Sequence, residues 1–226
     1  VNIAREELPK LKEIIGEGSV YMDVEGAMGL MECFEPNHPM TREDDCRYRR
    51  ELLAITKKIF GSVATEAVPI DCLADVVDVG AYFPIYQFIG EGPWCSYETR
   101  LWPPVFPIPL FQLVFHGSVI NMNPSKGGYY AGHPPYTPLY GMLPDTIDEF
   151  ALRISTEMRD NVYYDMLEHR FLSEPCIEVT GEGFCSRDVQ MSRFSDGTVV
   201  ISNFSKDAYT YMGKQIPAED FIIIKE

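Results

Sequence analysis

Long apolar runs are missing from this 226-residue chain: no stretch approaches the roughly 18 consecutive apolar residues of a membrane-spanning helix, so no ordinary span is expected. Positive charge is scarce, with 19 Lys and Arg against 34 Asp and Glu and a formal net charge of −15. A surface of that sign repels phosphate backbones, which argues against a nucleic-acid partner. Cysteine is sparse: the six (Cys33, Cys46, Cys72, Cys95, Cys176, Cys185) include no C-x-x-C pair, so neither a zinc ribbon nor a thioredoxin motif is indicated. They read as free thiols in a reducing compartment, which tilts the expected location towards the cytoplasm. No leader segment is visible, though the chain opens at Val1 inside what reads as a helix. There is no internal repeat and no low-complexity block. No G-x-G-x-x-G, P-loop, G-x-S-x-G or H-x-x-x-H occurs, so neither a nucleotide cofactor nor a metal is expected. What the chain does have is 46% hydrophobic residues, enough to bury a sizeable core, and the expectation is a soluble globular protein.

Ala4, Leu8, Leu11 and Ile15 recur at steps of 4, 3 and 4, the apolar stripe of an amphipathic helix, which Gly16 and Gly18 stop. Val20 to Glu25 reads as a strand, Val20, Met22 and Val24 on one face and Tyr21, Asp23 and Glu25 on the other. Thr41-x-x-Asp44 is a capping-box variant opening a second helix, with Tyr48, Leu52, Ile55 and Ile59 as its buried stripe and Gly61 as its stop. Ser62 to Glu66 is the next strand. Helix, strand, helix, strand with short turns is the signature of parallel βα units.

The middle of the chain is rich in Pro and aromatics. Leu110 to His116 reads as a buried strand, Asn121 to Tyr140 as a long irregular segment, and Pro138 to Leu143 as a further short strand. Asp145 and Asp148 begin a helical stretch running towards Leu172, with a break near Asn161. Val189 to Phe204 is a hairpin turning at Ser-Asp196-Gly197, and Phe221 to Ile224 is a final edge strand. A boundary near 174–177 divides an α/β domain, 1–175, from a small antiparallel β domain, 176–226.

Asp23 and Glu66 stand out because each falls at the C-terminal end of an expected parallel strand, where barrels and open α/β sheets carry their sites. Two carboxyl groups facing one cavity are what glycoside hydrolysis needs: one ionised against an oxocarbenium-like centre, the other protonated for the leaving oxygen. The plainer alternative is that both are polar residues at strand-to-loop junctions. Glu25, on the same strand face as Asp23, competes for its role. His38 and Arg42, in and after the loop that follows the first strand, are candidates for sugar hydroxyls. So are Gln112 and His116 at a strand end, and Asp71 beyond Glu66. Trp94, with Trp102, Tyr82, Phe83 and Tyr86, supplies aromatic faces that stack on sugar rings or else pack a long loop. A metal site at Asp23, His38 and His116 lacks any ligand-like spacing.

Tyr21-Met-Asp23-Val, then His38-Pro-Met-Thr41-Arg42-Glu-Asp-Asp, a helix, and Val63-Ala-Thr-Glu66 together resemble a group of glycosidase barrels, the endo-α-N-acetylgalactosaminidases and related glycoside hydrolases. Pro107 to His116 is similar to a strand of those barrels, and Phe194 to Phe204 resembles the small β-sandwich that follows many of them. The resemblance implies the C-terminal part of a (β/α) TIM-type barrel followed by a small antiparallel β-sandwich. It implies a retaining glycoside hydrolase acting on α-glycosidic substrates, with Asp23 as nucleophile and Glu66 as acid/base.

A complete barrel takes about 250 residues by itself. If Val20 begins the fourth strand, as the resemblance suggests, earlier strands come from another chain or from an absent N-terminal segment. An open strand edge is otherwise a liability. A second reading is therefore a non-catalytic carbohydrate-binding or structural fragment of a larger glycosidase.

Overall fold

Two glycines set the start of the parallel sheet. Gly16, at φ +82°, ends helix α1 (Asn2–Ile15), and Gly61, at φ +110°, ends α2 (Arg42–Phe60); both donate their N–H back into the last turn. Neither backbone angle suits a residue with a Cβ. Strand β1 (Gly18–Met22) follows the first glycine after one residue, and β2 (Gly61–Glu66) begins on the second. They pair in parallel, Gly18 opposite Gly61 through to Met22 opposite Thr65. The start of α2 is fixed by a full capping box: Thr41 Oγ1 accepts the Asp44 N–H, and the Asp44 carboxylate accepts the Thr41 N–H at 3.0 Å. Such a cap contributes about 1 kcal/mol.

The computed structural model describes residues 1–66, 73–81, 108–123, 135–144, 148–180 and 183–225. The chain divides into two compact units, Val1–Phe83 with Ser118–Ile120, and Pro84–Gly117 with Asn121–Glu226.

In the first unit, β3 (Val79–Ala81) continues the parallel sheet beside β2, with Ala64 opposite Val79 and Glu66 opposite Ala81. Asp78 fastens that junction. Its N–H donates to Val63 O at 2.9 Å, and its carboxylate accepts the Val63 N–H at 3.0 Å and Lys57 Nζ at 2.6 Å. The core is built from Leu53 and Phe60 of α2, Val63 and Ala64 of β2, and Leu73, Ala74, Val77 and Val119.

Two expectations about this unit are corrected. The α2 stripe Tyr48, Leu52, Ile55, Ile59 is not the buried face: that face is Asp45, Arg49, Leu53, Thr56 and Phe60, one residue further round, and Tyr48 is exposed. Its polar members are satisfied internally, so burying them does not carry the usual penalty. The apolar stripe of α1 is likewise not buried; the helix has no buried residue.

In the second unit, Leu110 to His116 is not a strand but a helix, α3 (Leu110–Phe115). Phe111 and Phe115, four apart, bring their rings to 5.0 Å, a contact only helical spacing gives. Met122 and Asn123 of β4 (Ile120–Asn123) pair in parallel with β5 (Leu143–Pro144). The expected strand from Pro138 is replaced over its first residues by α4 (Tyr136–Leu139), which is buried throughout. Asp148 does open a helix, α5 (Glu149–Glu157), its carboxylate accepting the Ala151 N–H at 2.8 Å. That helix stops long before Leu172: a 3-10 turn, Arg159–Tyr163, hands the chain to strand β6 (Met166–Phe171).

The expected hairpin is present as β9 (Val189–Phe194) and β10 (Thr198–Asn203), turning at Gly197 with φ +80°. Asp196 locks the turn by accepting the Thr198 N–H at 2.9 Å and its hydroxyl at 2.8 Å. The edge strand at Phe221 to Ile224 is also present, as β13 (Asp220–Lys225); the antiparallel sheet runs β13-β10-β9-β6. One face packs Phe194, Val200 and Phe221 on Ile154 of α5 and on Met158, the residue that caps it. The other packs Met191, Val199 and Ile201 on Ile216, with Tyr209 and Tyr211. These come from the hairpin β11 (Tyr209–Tyr211) and β12 (Lys214–Ile216). A further hairpin joins β7 (Ile177–Thr180) to β8 (Gly183–Ser186).

Burial of His169 on β6 pushes its imidazole down to about 4. A base whose folded value is depressed stays neutral in the fold, while the unfolded chain takes up a proton below about 6.5. Stability of this sheet therefore falls as pH drops from about 6.5 towards 4. Between pH 7 and 5 the loss amounts to about 2 kcal/mol. Urea unfolding at both pH values, on the wild type and on His169→Phe, measures it: the variant loses that part of the pH dependence.

Candidate active site

The register of β1 and β2 decides where the two carboxylates stand. Met22 lies opposite Thr65, so the next residues, Asp23 and Glu66, leave the C-terminal ends of adjacent parallel strands at the same level. Neighbouring strands are about 4.8 Å apart. Asp23 is exposed and Glu66 half-buried. Glu66 is still within β2, but β1 ends at Met22, three residues short of the expected Glu25.

The cause is a backbone reversal at Val24. The Glu25 N–H donates to Asp23 O at 2.8 Å across a single residue, and Val24 stands at φ +69°. A three-residue turn of this kind is rare and strained, and a β-branched residue at positive φ is an outlier that surrounding contacts must hold. Glu25 is thus not on the same strand face as Asp23: the alternation ends before it.

Those surrounding contacts come from Thr65 and Arg49. The Thr65 hydroxyl, fully buried, donates to Met22 O at 2.9 Å and accepts the Gly26 N–H at 2.8 Å. It therefore ties together the residues on either side of Asp23, Val24 and Glu25. Arg49, one of the buried residues of α2, reaches under the rest of the loop. Its Nη1 donates to Glu25 O at 3.0 Å and Met28 O at 2.8 Å, and its Nη2 to Gly29 O at 3.2 Å. The remaining N–H groups fork onto Asp45, Nε at 3.1 Å and Nη2 at 2.8 Å. All five guanidinium donors are used, which is what allows the charge to be buried. Asp45 also accepts the Met31 N–H at 2.8 Å. Burial opposes its charge, but the Arg49 fork and the Met31 N–H outweigh burial and hold the carboxyl below the usual carboxylate range.

The remaining expected site residues fall in several places. His38 is exposed in the loop before α2, where its Nδ1 lies 3.3 Å from Cys33 Sγ; backbone bonds between Cys33 and Met40 close that loop. Arg42, the first residue of α2, makes an exposed ion pair with Glu32 at 3.7 Å. Gln112 and His116 belong to the second unit and are buried. His116 follows the α3 helix instead of ending a strand, and its Nε2 lies 3.0 Å from Gly141 O, with Nδ1 against Tyr164 O. Asp71, Trp94 and the aromatics around Trp94 lie outside the described residues. Cys33, Cys46 and Cys176 carry free thiols. Among the described residues no group of three His, Cys, Asp or Glu is placed to hold a metal ion, and no helix is long and apolar enough to cross a membrane.

Sequence reasoning missed Asp45, Arg49 and Thr65. The available signal was an Asp and an Arg four apart on one helix, facing inward with Leu53. Thr65 carried no signal beyond its place one residue before Glu66.

No family model matches the chain, and no curated protein sequence matches it either. Solved structures do. The α-N-acetylgalactosaminidase NagBb from Bifidobacterium bifidum, as a quadruple mutant, superposes with a TM-score of 0.67 at 20% identity over 97% of this chain. The chain has the fold of part of that enzyme. The same enzyme in complex with GalNAc gives a TM-score of 0.65 at 21% identity over 96% of the chain, and ligand-free 0.63 at 21%. The chain spans about a third of the length of NagBb, 34% in the first two structures.

Proposed function

We propose that this chain is the acid/base- and nucleophile-bearing portion of a retaining glycoside hydrolase acting on α-linked N-acetylgalactosamine. One observation supports the reading: the β1–β2 register runs to Met22 opposite Thr65, and Asp23 and Glu66 are the residues that follow this last pair on the two neighbouring parallel strands. Retaining enzymes need their two carboxyl groups only about 5–5.5 Å apart, inverting enzymes about 6.5–9.5 Å, and placement on adjacent strands suits the shorter separation. The fold shared with an α-N-acetylgalactosaminidase supports the sugar and the linkage.

In this mechanism the Asp23 carboxylate attacks the anomeric carbon while Glu66 gives its proton to the departing glycosidic oxygen. The product of that step is a glycosyl ester on Asp23. Glu66, now ionised, takes a proton from water, whose oxygen attacks the anomeric carbon and frees the Asp23 carboxylate. Two inversions give net retention. Glu25, His38 and Arg42, on the loop and helix start that follow β1, are the contacts this reading assigns to sugar hydroxyls from the first unit.

The parallel strands are, on this reading, a portion of a (β/α) barrel. Among the described residues β1 pairs only with β2, while Ile3, Ile14 and Ile15 of α1 and Phe34 in the following loop are exposed. Further polypeptide, in the same chain or another, belongs beside β1.

The test is hydrolysis of an aryl α-N-acetylgalactosaminide followed by proton NMR. The reading expects the α anomer to appear first and the β anomer only by later mutarotation; β first means inversion and overturns it. The span of only a third of the enzyme chain favours a second reading, a non-catalytic fragment that binds sugar without turnover. Binding of N-acetylgalactosamine with no hydrolysis selects that reading.

A further inference from the structure

We infer that Thr65 is a positioning residue for Asp23, closing the strained turn on which that carboxylate sits; the inference rests on the nucleophile assignment above. Three observations meet at this residue. Its hydroxyl bonds one backbone group before Asp23 and one after the turn, Met22 O at 2.9 Å and the Gly26 N–H at 2.8 Å. The residue between Asp23 and Glu25 is a valine at φ +69°, a conformation it does not hold unaided. Thr65 itself is fully buried and immediately precedes Glu66 in β2.

The hydroxyl is thus both donor and acceptor in one bridge, and its Cα is anchored in the strand that carries the second carboxyl group. A shift of the two ends of the Asp23 turn relative to β2 strains one or both of these bonds. A nucleophile has to sit within a few tenths of an ångström of its attack geometry, and a displacement of about 1 Å costs roughly 100-fold in rate. Arg49 holds the far side of the loop through Glu25, Met28 and Gly29 carbonyls, and among the described residues the Thr65 hydroxyl adds to the β1–β2 pairing a bond to each end of the near side.

The experiment compares Thr65→Val, which keeps the shape and removes the hydroxyl, with Thr65→Ser, which keeps the hydroxyl. On the aryl α-N-acetylgalactosaminide, Thr65→Val is expected to lower kcat about 10- to 100-fold with KM changed less than about twofold. Thr65→Ser is expected to recover to within about threefold of wild type, which a packing role does not predict. Hydrogen exchange read at the Gly26 amide is expected to accelerate at least about tenfold in Thr65→Val and to stay slow in Thr65→Ser. Thr65→Ala repeats both measurements should Thr65→Val fail to unfold cooperatively. A kcat for Thr65→Val within twofold of wild type, equal impairment of the Val and Ser variants, or an unchanged Gly26 exchange rate overturns the role. Asp23→Asn run alongside separates the two claims. If Asp23→Asn is dead while Thr65→Val is active, only the positioning role fails; if Asp23→Asn turns over, the nucleophile assignment fails and the positioning role falls with it.

Discussion

Asp23→Asn is expected to lower turnover of an aryl α-N-acetylgalactosaminide by about 10⁴-fold or more, the scale of loss when the nucleophile of a covalent mechanism is removed. The amide is nearly isosteric with the carboxylate. It stands at an exposed position just after β1, so the fold and the loop that follows β1 are expected to survive. Affinity for N-acetylgalactosamine, measured by calorimetry, should therefore change little while kcat collapses. Glu25→Gln is the matched control. Glu25 follows the reversal at Val24 and no longer shares a strand face with Asp23, so its substitution is expected to act through KM. A dead Glu25→Gln beside an active Asp23→Asn exchanges the two roles.

The second large effect is expected at Glu66, and it depends on the substrate. On the proposed mechanism, Glu66→Ala removes both the proton donor of the first step and the base of the second. With a poorly activated leaving group, the loss is expected to be about 10²- to 10⁴-fold. With 2,4-dinitrophenolate, which leaves without protonation, the proposed glycosyl ester on Asp23 is expected still to form, with its hydrolysis as the slow step. Azide needs no general base: it attacks the anomeric carbon directly, releases the Asp23 carboxylate and yields the α-glycosyl azide. Rate recovery with azide, and that product by NMR, are the expected signs. Equal losses on both substrates with no azide adduct place the acid/base elsewhere.

How much of this was legible in the sequence differs between elements for physical reasons. The capping box at Thr41 and the Asp-Gly turn at 196–197 are local, and side chains and backbone there obey rules a few residues long. The segment from Leu110 failed because a continuous apolar run has no period to separate strand from helix; only the Phe111–Phe115 contact does. The stripe on α2 failed because its inward face is partly charged, and an apolar pattern cannot register a buried Arg49 whose partners are carbonyls some 20 residues away. The helix ending at Glu157 was overrun because β6 belongs to a sheet completed by residues far downstream.

The site shows the same division. Asp23 and Glu66 are legible as polar ends of short apolar strands, each following the last pair, Met22 and Thr65, of the parallel register. The reversal at Val24 was not visible, since nothing in Asp-Val-Glu announces a positive φ at a β-branched residue. Such a conformation is imposed from outside, by Thr65 and Arg49, and strain held in this way is concentrated at functional sites.

The most direct test of the central claim is covalent capture. A 5-fluoro-α-N-acetylgalactosaminyl fluoride transfers its sugar to the nucleophile with loss of fluoride, and the second fluorine slows hydrolysis of the ester. Intact mass followed by peptide sequencing of the captured protein is expected to show one adduct, on the Asp23 carboxylate. An adduct on Glu25 or Glu66, or no adduct on protein that hydrolyses the aryl glycoside, contradicts the account.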